Sequence, residues 1–191
     1  MLYLKGARCY SSKCAILRRN FQPGQHSWSR GRPSEFGVRL REKQKLKRFF
    51  GVSEKVFRRT FERASRLGGN TGENILNLLQ RRLDHVLVEA GVTLSRRTAR
   101  QMIQHGNVYV NGHRCDIPSA QVRAGDSVTL TEKDKVRKLV KDEVEARKGD
   151  KIAPWLQFDE NSLVTKVVEL PKREHFTFDI DVQMVVELMS R

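Results

Sequence analysis

Between Ser95 and Cys115 the spacing of apolar residues changes from a helical period to a strand period across one glycine, Gly106. Ser95 is an N-cap candidate, the helix it opens runs to His105, and Gly106 supplies a left-handed stop. Along this helix Ala99, Met102 and Ile103 fall within about a 100° arc, while Arg96, Arg97, Arg100, Gln101 and Gln104 take the opposite one. After Gly106 the pattern alternates through Asn107-Val108-Tyr109-Val110, reaches Asn111-Gly112 and resumes as His113-Arg114-Cys115. Asn-Gly between alternating residues is a strong hairpin signal, because a type I′ turn needs positive φ at both positions. A further strand, SVTLT, follows the turn Arg123-Ala124-Gly125-Asp126. Two helices and a small antiparallel sheet therefore make a basic module over residues 81–131, and the fold class is α+β.

The module helix has a dry face and a basic face. Arginines in its first turn oppose the positive end of the helix dipole, at about 0.3–1 kcal/mol each, unless an anion sits nearby. A phosphate at that N-terminus reverses the sign, since backbone N–H groups and guanidiniums then point at one ligand.

The charge map agrees with a polyanionic partner. Of 191 residues, 37 are Lys or Arg and 22 are Asp or Glu, a formal net charge of +15. Residues 1–50 hold 13 Lys and Arg against 2 Asp and Glu, whereas residues 151–191 hold 5 against 7. One end is built for a polyanion, and the other is expected to meet protein. No run of about 18 apolar residues suits a membrane span, and the opening MLYLKGARCY is not a secretory signal. Three cysteines argue against a disulfide framework, so a soluble chain in a reducing compartment is expected.

Residues 1–33 read as an extended or irregular basic arm, with Pro23-Gly24 and Arg32-Pro33 as turn punctuation. Ser34 caps a helix, EFGVRLREKQKLKRFF, that stops at Gly51 and is expected to touch protein through Val38, Leu46 and Phe49. Ser53 caps a second, EKVFRRTFERASRL, with Phe57 and Phe61 in the core and Arg58 and Arg59 outside. From Thr71 a third helical stretch carries Ile75, Leu79, Leu83, Val86, Leu87 and Ala90 on one seam to Gly91. A charged helix over 133–148 leads to a β-rich tail from Pro154, and the alternation over Val182–Met189 predicts a buried strand.

At this point the residues carry a family likeness. The segment RRLDHVLVEAGVTLSRRTARQMIQHGNVYVNGHRCDIPSAQVRAGD resembles the RNA-binding domain named after ribosomal protein S-four. LYLKGARCYSSKC, FQPGQH, VRLREKQKLKRFFGVSEKVFR and the terminal VVELMSR resemble the same bacterial-type small-subunit ribosomal family, in the same order and over essentially the whole chain. The resemblance implies a helical domain from 34–80 completed by 168–191, with the RNA-binding module and its following helix and strands, 81–167, set between them. It implies a structural constituent of the small ribosomal subunit, cytoplasmic or in an organellar ribosome. Such a protein is a primary binder of 16S rRNA at a junction of its 5′ domain and nucleates assembly of the subunit body. Further implied partners are ribosomal protein S-five, through which decoding accuracy is affected, other small-subunit proteins, and mRNA near the channel through which it enters. No membrane is involved.

Folded RNA is bound chiefly through phosphate and 2′-OH contacts fitted to its shape. The leading contact candidates are Arg96, Arg97, Arg100, Gln101 and His105 on the module helix, with Asn107, Asn111 and Gly112 at its edge. A second set is Lys43, Lys45, Lys47 and Arg48 on the first helix and Lys5, Arg8, Tyr10, Arg18, Arg19, Gln25 and His26 in the arm. Tyr10, Phe21 and Trp28 are placed to stack on bases or sugars, and Phe21 equally suits a small local core.

Catalysis and metal binding find no support in the pattern. Cys9 and Cys14 look like half of a four-cysteine zinc site, whose other pair lies upstream in zinc-bearing members of the family, so no metal or cofactor is expected. Arg82-Leu83-Asp84 resembles the catalytic aspartate motif of pseudouridine synthases, but His85-Val86-Leu87 replaces the usual continuation, and Asp84 is expected to pair with a basic neighbour. The five histidines and Cys115 show no nucleophile-base spacing, so no enzyme activity is expected. Two rival readings are an RNA-modifying enzyme that borrows the module and a non-ribosomal RNA chaperone.

Overall fold

Side-chain caps fix where most of the helices begin. The computed structural model describes residues 2–21, 24–25, 31–32, 34–147, 152–176 and 178–190. Ser34 accepts from Gly37 N ahead of α2 (Glu35–Phe50), and Ser53 from Val56 N ahead of α3 (Glu54–Arg66). Asn70 caps α4 (Thr71–Gln80), Ser95 caps α6 (Arg96–Gln104) and Asp181 caps α8 (Val182–Met189). Each cap satisfies backbone donors that the first helical turn leaves unpaired. The remaining helices are α1 (Ala15–Arg18), α5 (Leu83–Glu89) and α7 (Asp134–Ala146). None is long and apolar enough to cross a membrane among the described residues.

The buried side chains sort into two cores. Leu46 and Phe50 of α2, Phe57, Phe61 and Ala64 of α3, and Ile75, Leu76, Leu78 and Leu79 of α4 close on Ile180, Val182 and Val185 from the C-terminus. The other core joins α5 and α6 to an antiparallel sheet and to Trp155, which is 1% exposed. That sheet runs in the order β2 (His113–Arg114), β1 (Val108–Val110), β3 (Ser127–Leu130), β5 (Val164–Val167) and β4 (Leu156–Asp159). Asn111 and Gly112 both have positive φ, 51° and 79°, as the tight hairpin between β1 and β2 requires. The α+β class is as the periodicities indicate.

Four local expectations are corrected. Val182–Met189 is a helix, because Asp181 accepts from Gln183 N and Met184 N and the valines pack on α2 and α4. The third helical stretch breaks at Arg82, whose ψ of 136° leaves the helix. There the chain passes from one core to the other: Val122 N donates to Arg81 O and Leu83 N to Ala120 O. In α2 it is Leu46 and Phe50 that are fully buried, while Val38 is exposed and Phe49 lies at the edge of the core. The arm is not simply extended, since 6–10 form a 3₁₀ turn and 15–18 form α1. Gly6 anchors that turn with a φ of 56°, and a Cβ there would stand 2.9 Å from the Cβ of Leu94.

Candidate nucleic-acid interface

The polar residues of α6 divide into two sets with different work. Ala99, Met102 and Ile103 are buried in the module, and Arg97, Gln101, Gln104 and His105 are exposed. Arg96 and Arg100 turn instead toward the helical domain. Arg96 donates from Nε and Nη2 to His85 Nδ1, at 3.2 and 3.0 Å, with its guanidinium 4.1 Å from the centroid of Phe49. Burial lowers the Arg96 pKa to about 10, and Glu89 and Asp84 oppose that fall. His85 is held well below its ordinary value by burial and then by Arg96 and Arg82, so its ring is neutral and can accept.

Arg100 completes the joint. Its Nε donates to Asp84 Oδ2 at 2.6 Å, and its Nη atoms donate to Gly51 O at 2.5 Å and Phe50 O at 2.8 Å. These carbonyls end α2, where a cation meets both unpaired acceptors and the negative end of the helix dipole. Arg82 holds Asp84 in a bidentate pair at 3.0 and 2.9 Å. Asp84 is thus a structural carboxylate, 1% exposed between two guanidiniums, which removes the modifying-enzyme reading of that motif. This polar joint was not legible in the sequence, since α6 displays all its arginines on one nominal face.

On α2, Lys43 and Lys47 both donate to Glu54, at 2.8 and 2.9 Å, and their hydrogen bonds hold its carboxyl below the usual range. Lys45 pairs with Glu42 at 3.5 Å and lies over the ring of Phe178. Arg48 is exposed and pairs with no carboxylate among the described residues. A set that the sequence reading left out of the site lies on α3, where Lys55, Arg58, Arg59, Arg63 and Arg66 are all exposed. Its signal was present: Phe57, Phe61 and Ala64 claim one face and leave the bases on the others.

At the hairpin, Gly112, His113 and Arg114 are exposed. Asn111 is committed to the fold, its amide donating to Asp126 Oδ1 at 2.8 Å and accepting from Ser127 N at 2.9 Å. Asn107, half-buried, accepts from Thr131 N through its backbone. The guanidinium of Arg114 lies directly over Gly106, where any side chain would collide with it. In the arm, Lys5, Arg8, Tyr10, Arg18, Arg19 and Gln25 are exposed, Arg19 sits over Phe21 at 5.0 Å, and Phe21 is itself 45% exposed. His26 and Trp28 lie outside the described residues. Cys9 Sγ accepts from Lys5 N, Cys14 is buried, and among the described residues no third ligand-type residue joins them.

The class that fold and surface define is a helical domain carrying an S4-type RNA-binding module: residues 81–128 match the S4 domain model and residues 1–80 the model described as ribosomal protein S4/S9 N-terminal domain. The chain is 49% identical over 191 residues to the small ribosomal subunit protein uS4 of Thermus thermophilus, covering 100% of this chain and 91% of that protein. It is 48% identical to the uS4 protein of Desulforamulus reducens and 47% identical to that of Geotalea daltonii, again covering 100% of this chain and 91% of each relative. The chain belongs to the ribosomal protein S4 family.

Proposed function

We propose that the chain is a structural, non-catalytic constituent of the small ribosomal subunit that binds 16S rRNA through phosphate and sugar contacts. The observation that carries this reading is the set of exposed bases left over once internal ion pairs are removed. On α6 and the hairpin these are Arg97, His105 and Arg114, with the uncharged Gln101 and Gly112 exposed on the same elements, and they are joined by Arg48 on α2 and the five bases of α3. Lys5, Arg8, Tyr10, Arg18, Arg19 and Gln25 of the arm extend the same surface. Arg100, Lys43, Lys45 and Lys47 act behind it, by fixing the elements that present it.

The finer reading is that the chain docks early, at a junction of the 5′ domain, and nucleates assembly of the subunit body. Its nearly neutral to acidic C-terminal end is then available to ribosomal protein S-five, and that contact affects decoding accuracy. Support comes from the family membership and from the fall in charge along the chain. The test is sedimentation of the tagged chain with assembled subunits, and filter binding to naked small-subunit rRNA. Cosedimentation and tight binding to naked rRNA are expected; a chain absent from mature subunits overturns the reading in favour of a free RNA chaperone.

A further inference from the structure

A cavity of about 180 Å³ opens where the arm, the helical domain and the module meet. Its lining includes Tyr3 and Tyr10 of the arm, Phe49 of α2, Glu89 of α5 and Arg96 of α6. Three features set it apart from a simple seam between packed elements. Tyr10 is 72% exposed although stacked on Tyr3, with ring centroids 5.2 Å apart, so an aromatic ring remains accessible beside the opening. The guanidinium of Arg96 stands over the Phe49 ring, 4.1 Å from its centroid, and brings a cation to the lining. The carboxylate of Glu89, whose pKa burial raises, accepts no hydrogen bond among the described residues. The N–H edge of the neutral His85 ring faces it, Nε2 at 3.5 Å, and the cationic Arg96 Nη2 stands at 3.8 Å. The Glu89 side chain is 31% exposed and lines the cavity, so the donors of a ligand can reach it.

We propose that this cavity holds one unstacked guanine of the bound RNA, a proposal that rests on the rRNA-binding reading above. An ionised carboxylate only accepts and a guanidinium only donates, and here the two stand side by side. The Watson–Crick edge of guanine carries an acceptor, O6, next to two donors, N1–H and N2–H. Arg96 meets O6 and Glu89 meets both donors. Adenine and cytosine offer Glu89 one donor flanked by an acceptor, and uracil offers one donor between two acceptors. Unstacked bases in RNA are read in this manner, with the ring on an aromatic or guanidinium plane and hydrogen bonds on its edge.

The test uses the full chain bound to small-subunit rRNA and kethoxal, which modifies guanine at N1 and N2 when that edge is free. The wild-type chain protects one guanine outside the rRNA duplexes. Glu89→Gln and Tyr10→Ala each restore its reactivity about tenfold, within the range of one lost stacking contact, and leave the rest of the footprint in place. Tyr10 belongs to neither core, so its variant folds, and thermal unfolding followed by circular dichroism verifies the fold of Glu89→Gln. A wild-type footprint that neither variant changes, or a footprint lost everywhere at once, overturns the pocket and leaves rRNA binding standing. No wild-type footprint at all overturns both. Carbodiimide modification of uracil N3, run in parallel, overturns the choice of base if the variant-sensitive site is a uracil.

Discussion

Asp84 and His85 sit side by side in the joint between the two cores, and each makes a separate energetic demand. Asp84 has a guanidinium on either side, the buried Arg82 and the half-buried Arg100, and replacing it with Asn leaves both short of a counter-charge. Asp84→Asn is expected to lower the unfolding free energy by about 3–5 kcal/mol in urea titration. His85 stays neutral in the folded chain, well below its ordinary value of 6.5, whereas the unfolded chain takes up a proton there. Stability is therefore lost as pH falls from about 6.5 toward the depressed folded value, by up to about 1.4 kcal/mol per pH unit. Glu89, with a raised pKa, acts with the opposite sign, losing stability as pH rises from its ordinary 4.5 through the folded value. Comparing His85→Gln with the wild type at each pH isolates the histidine: the difference between them narrows as pH falls from 7 to 5. The pairing of Asp84 with a basic neighbour was legible from the adjacent Arg82. The part played by Arg100 was not, because it depends on the end of α2 arriving from 50 residues away.

α6 and α8 mark the two extremes of what local sequence determines. For α6 the Ser95 cap, the apolar trio Ala99, Met102 and Ile103, the Gly106 stop and the Asn111-Gly112 turn all act within a few residues, and the structure follows them. Ser95→Ala removes the acceptor for Thr98 N and is expected to cost about 1 kcal/mol, read as a fall in thermal midpoint without change in the folded spectrum. For α8 the valines Val182, Val185 and Val186 carry strand propensity, and a strand is the natural reading of the segment alone. The Asp181 cap and the packing of Val182 and Val185 against α2 and α4 reverse it, and that packing partner is more than a hundred residues away in sequence. The break at Arg82 has the same origin: the apolar seam is continuous in sequence, but its two halves belong to different cores.

At the scale of the whole molecule, exposed bases are carried on elements of both cores, and the joint made by Arg96, Arg100, Asp84 and His85 connects them. Two faces held in fixed relation engage one RNA with an effective concentration that a loose pair lacks. The account therefore separates Arg97, which faces solvent and the RNA, from Arg100, which holds the protein together. The most direct test is the salt dependence of binding to small-subunit rRNA for the wild type, Arg97→Ala and Arg100→Ala, with urea unfolding of each. Each neutralised phosphate contributes roughly 0.7–0.9 to the slope of log affinity against log salt. Arg97→Ala is predicted to reduce the slope by about that amount at unchanged stability, whereas Arg100→Ala lowers stability and affinity at an unchanged slope. A reduced slope for Arg100→Ala at full stability, or an unchanged slope for Arg97→Ala, contradicts the division.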